Sequence, residues 1–432
     1  MDQNIEKLII PKEIIEKAEE ALKNSKEESI VFLFGKNKNG KNIATDILIP
    51  SENDYEIRTC AHVAIRKEFI AKEFQKFKKE NKTQVATIHS HPLNDLSLGD
   101  IETHKKVIKF YPYQLSGIYN GNFSFYQFKN GKIENVPYKI IDLRRFDRQI
   151  RIFGIEGQLL ISSSTIALIG VGGGNTKIAL DLASLGIGKL ILIDPDVWEE
   201  HNRNRVFIPS EMIGQNKAIT IGDLIKKYYP DVEIESYNNK VQEIPDKVFE
   251  KADIIVVGPD NFHTRIYGNR LALRLKKTAV FPAAGIESKD RKISIIGGSV
   301  QVVIPDKTPC YECIHSIDSF EIFKEIIDDE TREKIKQKYG LKDEIEIPVA
   351  PSIVALNDII GGIALWEIIK ILTGIFPIAN FQIYNALNFS LKEILIEKKE
   401  NCPACSPEKH YDEVETKEEE FLLSALKSDK NE

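Results

Sequence analysis

The sequence "STIALIGVGGGN", residues 164–175, decides the fold of the larger part of this chain. Its first half is apolar and rich in β-branched residues, as in a buried strand, and its second half is a glycine-rich turn. The pattern of "TKIALDLASLG" (176–186) is helical, and "KLILIDPD" (189–196) is a second buried strand. This order predicts a βαβ unit. Further strands in "ADIIVVGPDN" (252–261), "TAVFPAAG" and "SVQVVIP" extend it to a doubly wound, Rossmann-like α/β fold.

The glycine-rich turn predicts a nucleotide site. Backbone N–H groups at a helix start can approach a phosphate closely where side chains are absent, and Gly170, Gly172 and Gly173 meet that need. Asp194, at the end of the next strand, suits ribose hydroxyls. Nicotinamide-dependent dehydrogenases share these features, although their fingerprint ends in a glycine where this chain has Asn175. A dehydrogenase is therefore an alternative at this point.

A more specific pattern surrounds the turn. The segments "DPDVWEEHNRNRVF" (194–207) and "GQNK" (214–217) place an acid, an amide and two cations around one pocket, which suits triphosphate chemistry. An arginine precedes them in "FDRQIRIFG" (146–154), and an aspartate follows at a strand's carboxyl end, where open α/β sheets bind ligands. The predicted site residues are Arg148, Asp194, Asn202, Arg205, Lys217 and Asp260.

This ordered set resembles the adenylating domain of the ubiquitin-activating, ThiF/MoeB-like family, from about residue 142 to 405. The resemblance implies that ATP and Mg²⁺ activate a C-terminal glycine carboxylate as an acyl-adenylate. It also implies that Asp194 holds the ribose, and that Asn202, Arg205 and Lys217 contact phosphates or stabilise charge at the α-phosphorus. Asp260 would bind Mg²⁺ or position the attacking carboxylate. Arg148 would act from the partner subunit of a homodimer.

The cysteines predict a structural metal site. Two Cys-x-x-Cys pairs, Cys310/Cys313 and Cys402/Cys405, together make the Cys₄ set of a closed zinc site, which the family carries at matching positions. A redox pair is the alternative. Members that form a thioester usually carry their nucleophile between these pairs, where this chain has no cysteine. The adenylate would then pass to an external thiol, sulfur donor or amine, unless Cys60 or a zinc-pair thiol serves.

The segment "HSHPLNDLSLGD" (89–100) predicts a second metal site. A β-prone run precedes it, so His89 and His91 share one face at a strand end, and Asp100 follows a short loop at a helix start. Two histidines and one aspartate suit Zn²⁺ with an open coordination position, as in hydrolases. Ser97-x-x-Asp100 is also an ordinary capping box, and a histidine pair is often plain polar structure. His104 is a further candidate ligand.

Glu28 before "SIVFLFG" (29–35), together with His-Ser-His-Pro, Ser and Asp, resembles the JAMM (JAB/MPN) metalloprotease domain. That family cleaves after the C-terminal glycine of ubiquitin-like proteins. The resemblance implies that His89, His91 and Asp100 hold catalytic zinc, that Glu28 is the acid/base, and that Ser97 donates to the oxyanion. Glu27 is the alternative base. The chain departs from the family in a shorter gap from Pro92 to Ser97 and in Val31 and Phe32 on the first strand.

The chain of 432 residues is therefore predicted to hold an α/β metallopeptidase-like domain (1–140), an adenylating domain (141–406) with a charged helical insertion (316–347), and a polar tail (407–432). A net charge of -6 without a basic patch argues against a nucleic-acid partner. No signal segment is evident, and polar residues interrupt the apolar stretch 354–374, so it predicts a core helix rather than a membrane span. A cytoplasmic location follows from this pattern.

The two halves together predict a bifunctional enzyme. It would trim or remove a ubiquitin-like protein with zinc chemistry and would activate the exposed glycine with ATP. The alternative is activation of a sulfur-carrier protein for cofactor or metabolite biosynthesis, with the first domain trimming the carrier or only docking it. A conjugating enzyme or a sulfur donor would be a further partner.

Overall fold

A computed structural model of the chain describes residues 4–23, 27–38, 40–60, 62–91, 95–289, 292–315 and 351–406. It consists of two compact units, Met1–Ser163 and Ser164–Glu432. The predicted insertion at 316–347, the tail at 407–432 and Pro92 lie outside the described residues. Within the described ranges, no helix is both long and apolar enough to cross a membrane.

The first unit is built on an eight-stranded mixed sheet with the strand order β10-β1-β3-β2-β6-β7-β8-β9. Its strands are β1 (Lys7–Pro11), β2 (Ile30–Lys38), β3 (Lys41–Leu48), β6 (Thr83–Ser90), β7 (Leu115–Tyr119), β8 (Phe123–Lys129), β9 (Lys132–Asn135) and β10 (Tyr138–Ile141). The strands β4 (Tyr55–Arg58) and β5 (Val63–Ile65) form a separate ribbon. The helices are α1 (Lys12–Lys23), α2 (Lys67–Lys79), α3 (Leu98–Val107) and α4 (Asp147–Ser163).

Two local features of this unit differ from the sequence pattern. The residues from His62 to Glu80 have the apolar spacing of one helix, but helix α2 begins only at Lys67. Val63–Ile65 pairs with β4 instead, because its β-branched side chains suit a strand. The apolar run of residues 29–35 ends at Gly35, but strand β2 continues to Lys38. Gly35 lies at a register shift in β2, and a Cβ there would come within 1.8 Å of the Ile43 carbonyl oxygen, so only glycine fits.

Helix α4 belongs to the first unit although it follows the predicted domain boundary at 140/141. Its Leu159 and Leu160, with Phe146 just before it, form a buried cluster with Ile9 and Ile43 of the sheet. Burial of these side chains favours association of the helix with this sheet. The proposed boundary between functional domains stays a prediction.

The second unit has an eight-stranded sheet with the order β13-β12-β11-β14-β15-β16-β17-β18. Its strands are β11 (Thr165–Ile169), β12 (Lys189–Ile193), β13 (Glu233–Tyr237), β14 (Ile254–Val257), β15 (Thr278–Lys289), β16 (Lys292–Val303), β17 (Phe381–Asn385) and β18 (Ser390–Glu393). Its helices are α5 (Gly173–Leu185), α6 (Lys217–Tyr228), α7 (Asp246–Glu250), α8 (Phe262–Arg274), α9 (Tyr311–Ile314) and, as the tenth helix described, α10 (Val354–Thr373).

The five strands from β13 to β15 are parallel, and β16, β17 and β18 add an antiparallel edge. This arrangement confirms the predicted Rossmann-like α/β fold. The strand β11 pairs with β12 on one side and with β14 on the other, so the chain order reverses beside it. The crevice at the carboxyl ends of these strands is where open α/β sheets bind ligands.

The helix α10 confirms the prediction of a core helix. It buries Leu356, Ile360, Ala364 and Ile368, and a Cβ on Gly298 of β16 would come within 2.6 Å of the Ile360 side chain. The helix therefore packs directly on the antiparallel part of the sheet.

Candidate functional site

The glycine-rich turn leaves space in front of a helix start. Gly172 is the N-cap of α5, and a Cβ on Gly172 or Gly174 would meet no atom within 4 Å. Gly170 has a φ of 80° and its Cβ would lie 3.0 Å from the Pro259 nitrogen, so this position requires glycine. The turn is thus held against the segment that follows β14, and the N–H groups at the start of α5 border an open space that suits a phosphate.

Asp194 lies where the sequence predicted, directly after β12, and is 5% exposed. One carboxylate oxygen accepts from the Val171 N–H at 2.5 Å, and the other accepts from the Asp196 N–H at 2.9 Å. Burial raises the pKa of Asp194, while the Val171 N–H and the Lys217 ammonium oppose that rise. The carboxylate therefore connects the glycine-rich turn to the next strand.

Asn175 replaces the last glycine of the dinucleotide fingerprint and has a structural use. Its side-chain amide is buried and donates to the carbonyl oxygens of Ile169 (3.2 Å) and Gly170 (2.7 Å). It also lies so close to Gly258 that a Cβ there would approach its amide oxygen within 2.5 Å. Asn175 thus joins the ends of β11 and β14.

Asn357 is a site residue that the sequence reasoning missed. It projects from α10, and its amide donates to the Arg205 carbonyl oxygen at 3.1 Å. A Cβ on Gly173 would lie 2.5 Å from the same amide nitrogen, so Asn357 also touches the glycine-rich turn. The signal in the sequence is an asparagine within a mainly apolar helix, and this pattern alone does not indicate which groups the asparagine contacts.

The predicted cations and amide have different partners in the second unit. Lys217 begins α6, and its Nζ lies 3.0 Å from an Asp196 carboxylate oxygen. Asn202 is buried, and its side-chain oxygen accepts from the Glu199 N–H at 3.0 Å. Arg205 is half-buried, and its main chain is fixed by Asn357. Asn202 therefore has a helix-capping role in addition to any contact with nucleotide.

The two remaining predicted residues lie in different units. Asp260 is exposed just after β14, next to Asn261, which caps α8. Arg148 is exposed on α4, in the first unit. Its predicted action from a partner subunit stays a prediction.

The four cysteines of the predicted structural site come together in the second unit, and their sulfurs lie within 4.8 Å of one another. The Cys310 sulfur is 3.5 Å from that of Cys402, and the Cys313 sulfur is 3.5 Å from that of Cys405. Hydrogen bonding among the sulfurs raises the pKa of Cys310 and lowers that of Cys402. Four converging thiols fit a divalent zinc ion, because the cation allows them to ionise together.

His89, His91 and Asp100 of the first unit also converge, with ligand atoms within 4.8 Å of one another. Nε2 of His89 lies 3.3 Å from Asp100, and Nε2 of His91 lies 3.8 Å from it. Among the described residues, the buried His89 Nε2 has no partner with hydrogen-bond geometry. Burial opposes the charge on Asp100, but His89 and Ser97 outweigh it and hold the pKa of that carboxyl well below its usual range. The set fits a divalent metal.

Glu28 and Glu27 are distinguished by the structure. Glu28 is buried, and burial raises the pKa of its carboxyl, while His89 and His91 lower it. Glu27 is exposed. Glu28 therefore interacts electrostatically with the three candidate ligands, and it is the better candidate for the base.

Ser97 and His104 have structural partners. Ser97 forms a capping box with Asp100 at the start of α3, so the structural and the metal-binding interpretations of this pair coexist. His104 is buried, with Nδ1 2.8 Å from the Ser116 hydroxyl, and is not in the converging group. The hypothesis that His104 is a further ligand is not supported by this geometry.

A protein-family model matches the larger part of the chain. The model of the ThiF family matches residues 146–404. Among curated proteins, ubiquitin-like modifier-activating enzyme 5 of Dictyostelium discoideum is 26% identical over 272 residues, 59% of this chain and 66% of the relative. Its counterpart in Caenorhabditis briggsae is 25% identical over 271 residues, 59% and 58% of the two chains.

A maize protein, adenylyltransferase and sulfurtransferase MOCS3-1, is 31% identical over 175 residues, 39% of this chain and 35% of the relative. The chain thus spans between about a third and two thirds of these relatives' lengths. Among solved structures, E. coli MccB with MccA-N7isoASN has a TM-score of 0.48 at 18% identity, covering 61% of this chain and 75% of that one. PaaA has a TM-score of 0.45 at 21% identity, covering 59% and 83%.

Proposed function

This chain belongs to the ThiF family, and on that premise we propose that its second unit uses ATP and Mg²⁺ to adenylate the C-terminal carboxylate of a small ubiquitin-like or sulfur-carrier protein. One observation carries the proposal. The glycine-rich turn closes onto Asp194 on one side and onto the Pro259–Asp260 segment on the other, at the point where the strand order reverses. Such a crevice is suited to a nucleotide whose phosphates lie at a helix start.

In the proposed reaction a carboxylate oxygen of the partner bonds to the α-phosphorus of ATP, the bond between the α- and β-phosphates breaks, and pyrophosphate leaves. Negative charge gathers on the phosphate oxygens during this step, so nearby cations stabilise it. We propose Lys217 and Arg205 for this role. Burial raises the pKa of Asp194 and Lys217, at the start of α6, opposes that rise, while the Arg205 carbonyl lies against Gly173. Lys217 would exchange its present contact with Asp196 for a phosphate oxygen.

The relatives' names support two classes of partner, a ubiquitin-like modifier and a sulfur acceptor. The interval between Cys313 and Cys402 contains no cysteine that could take the acyl group as a thioester. We therefore propose that the adenylate passes to an external group. A conjugating enzyme would supply a thiol or an amine, and a sulfur donor would supply sulfide.

Incubating the full chain with Mg-ATP and a candidate ubiquitin-like protein should add AMP to the partner, as measured by intact-mass spectrometry. A partner that lacks its C-terminal glycine is the control and should stay unmodified. Replacement of one oxygen by sulfur on the partner would select the sulfur-carrier alternative. A chain that binds nicotinamide dinucleotide and not ATP would contradict the proposal and favour a dehydrogenase.

We further propose that the first unit is a zinc hydrolase that acts on the same C-terminal end. The convergence of His89, His91 and Asp100 beside the buried Glu28 supports this. When bound, zinc would lower the pKa of a water and polarise the scissile carbonyl. Glu28 would take up and deliver the proton. Ser97 would donate its hydroxyl hydrogen to the oxyanion, while its hydroxyl oxygen accepts from the Asp100 N–H in the structure.

The variant Glu28→Gln should lower cleavage of a C-terminally extended ubiquitin-like protein by about 10³-fold and retain the zinc, because the amide cannot accept the proton. The matched control is Glu27→Gln, which alters the exposed neighbour and should cleave at the native rate. Native cleavage in Glu28→Gln, measured by gel and mass spectrometry, would show that Glu28 is not the base. Loss of cleavage in Glu27→Gln alone would transfer the role to Glu27.

Zinc stoichiometry separates a hydrolase from a docking module. The native chain should carry about two zinc ions, and His91→Ala should carry about one, measured by plasma emission spectroscopy. A native content near one ion, lost when the cysteines are replaced, would mean that the histidine group holds no zinc and that the first unit only docks the partner.

A further inference from the structure

We propose that helix α8 couples the four-cysteine site to the nucleotide site, and that Arg265 is the positioning residue that sets Asp260. The inference rests on the proposed function in one respect, because Asp260 is taken as the residue that acts on Mg²⁺. The coupling would make nucleotide binding depend on a zinc site that is formed by other residues.

Buried side chains of α8 form hydrogen bonds with the turn that carries Cys310 and Cys313. Glu312, between Cys310 and Cys313, is 7% exposed and accepts from Asn269 at 3.0 Å and from Arg270 at 3.1 Å. The side-chain oxygen of Asn269 also accepts from the backbone N–H of Tyr311, at 3.1 Å. Because these groups are buried, the cysteine turn cannot shift against the helix without leaving polar groups unpaired.

The same helix holds the segment that carries Asp260. Nε of Arg265 donates to the Pro259 carbonyl oxygen at 2.8 Å, and Nη2 donates to the Pro282 carbonyl oxygen of β15 at 2.9 Å. On its other side Pro259 lies against Gly170, where a Cβ would be 3.0 Å from the proline nitrogen. Pro259, at the start of this segment, therefore lies between the Arg265 guanidinium and the glycine-rich turn.

Tyr311 is a second connection between the cysteine turn and Arg265. It belongs to the cysteine turn, and its ring stacks on Phe281 at 4.8 Å. Burial lowers the pKa of Arg265, and Tyr311 and Asp260 oppose that change. Nη1 of Arg265 is buried without a well-aligned hydrogen bond to any described residue. Arg265 thus lies between the cysteine turn and the Asp260 segment, and a displacement of one reaches the other through packed groups.

Calorimetric titration of this chain with ATP, at increasing concentrations of Mg²⁺, tests this coupling. Arg265→Lys keeps a basic side chain but lacks the planar fork that reaches two carbonyl oxygens. We expect it to retain its zinc and to bind ATP without Mg²⁺ within about twofold of the native affinity, but to need at least about fivefold more Mg²⁺ for half of the Mg²⁺-dependent gain. Arg274→Lys is the matched control and should behave as native, because Arg274 also lies on α8 but pairs with Asp246 of α7.

Tyr311→Phe keeps the stacked ring and removes only the hydroxyl, so it tests the connection if Arg265→Lys does not fold. It should shift the Mg²⁺ requirement in the same direction. Cys405→Ser should also raise the requirement in the native chain, but should add less than about twofold in the Arg265→Lys background, because the connection is already broken there. Fully additive effects of the two substitutions would overturn the proposal.

Asp260→Asn distinguishes failure of this inference from failure of the proposed function. If it changes the Mg²⁺ requirement and Arg265→Lys does not, the coupling is wrong and the role of Asp260 stands. If Asp260→Asn leaves the requirement unchanged, its magnesium role is wrong, and the coupling falls with it. A native chain that binds no ATP overturns both.

Discussion

Asp194→Asn should weaken ATP binding by about 100-fold, which corresponds to about 2.8 kcal/mol. The native carboxylate accepts from the Val171 N–H with one oxygen and from the Asp196 N–H with the other. An asparagine has a single acceptor oxygen, so its NH₂ group would face one of these two N–H groups. The side chain is 5% exposed, and the mismatch cannot be relieved by water.

The expected loss has two parts. The ribose contact proposed for Asp194 weakens, and the glycine-rich turn that holds the phosphates loses its connection to β12. Calorimetric titration of the full chain with Mg-ATP measures the effect. Asp181→Asn is the control, because Asp181 lies on α5, the helix that follows the glycine-rich turn. Its surface ion pair with Lys177 contributes at most about 1 kcal/mol. Native ATP affinity in Asp194→Asn would contradict the predicted site.

Cys402→Ser should release the zinc of the second unit and lower the melting temperature of that unit by more than about 10 °C, since each kcal/mol corresponds to about 2–4 °C in a domain of about 150–250 residues, close to the size of this unit. Structural zinc contributes about 10–16 kcal/mol to the folding of small domains, and losing one thiolate forfeits several kcal/mol of that. Cys402 is fully buried, so the new hydroxyl would also lie in a sulfur-lined interior without a good acceptor.

Cys60→Ser is the matched control for that variant, because Cys60 is exposed and lies in the first unit. It should melt within about 1 °C of the native chain, as surface substitutions usually do. Calorimetry gives the melting temperature, and emission spectroscopy gives the zinc content. A Cys402→Ser variant that melts as the native chain does would show that the four cysteines hold no structural metal, and a redox role would then be the better interpretation.

The sequence by itself determined the type of fold and most of the chemistry of the candidate sites. Continuous apolar runs with a glycine turn between a strand and a helix allow few arrangements other than a parallel sheet with the turn at its carboxyl edge. The short spacing within each cysteine pair and within the His-Ser-His segment likewise predicted metal sites, because metal ligands often occur in such local pairs. These signals are short in range, and a linear pattern records them.

Only the tertiary structure decided which groups meet across long distances in the sequence. Asn357 reaches Arg205 and Gly173 because α10 packs over the sheet, and no local pattern encodes that contact. The choice between Glu27 and Glu28 depends on burial, since only Glu28 is enclosed next to the histidines. Helix α4 joins the first unit through its apolar side chains. In each case the deciding quantity is the loss of water from a side chain, which depends on the whole packed fold.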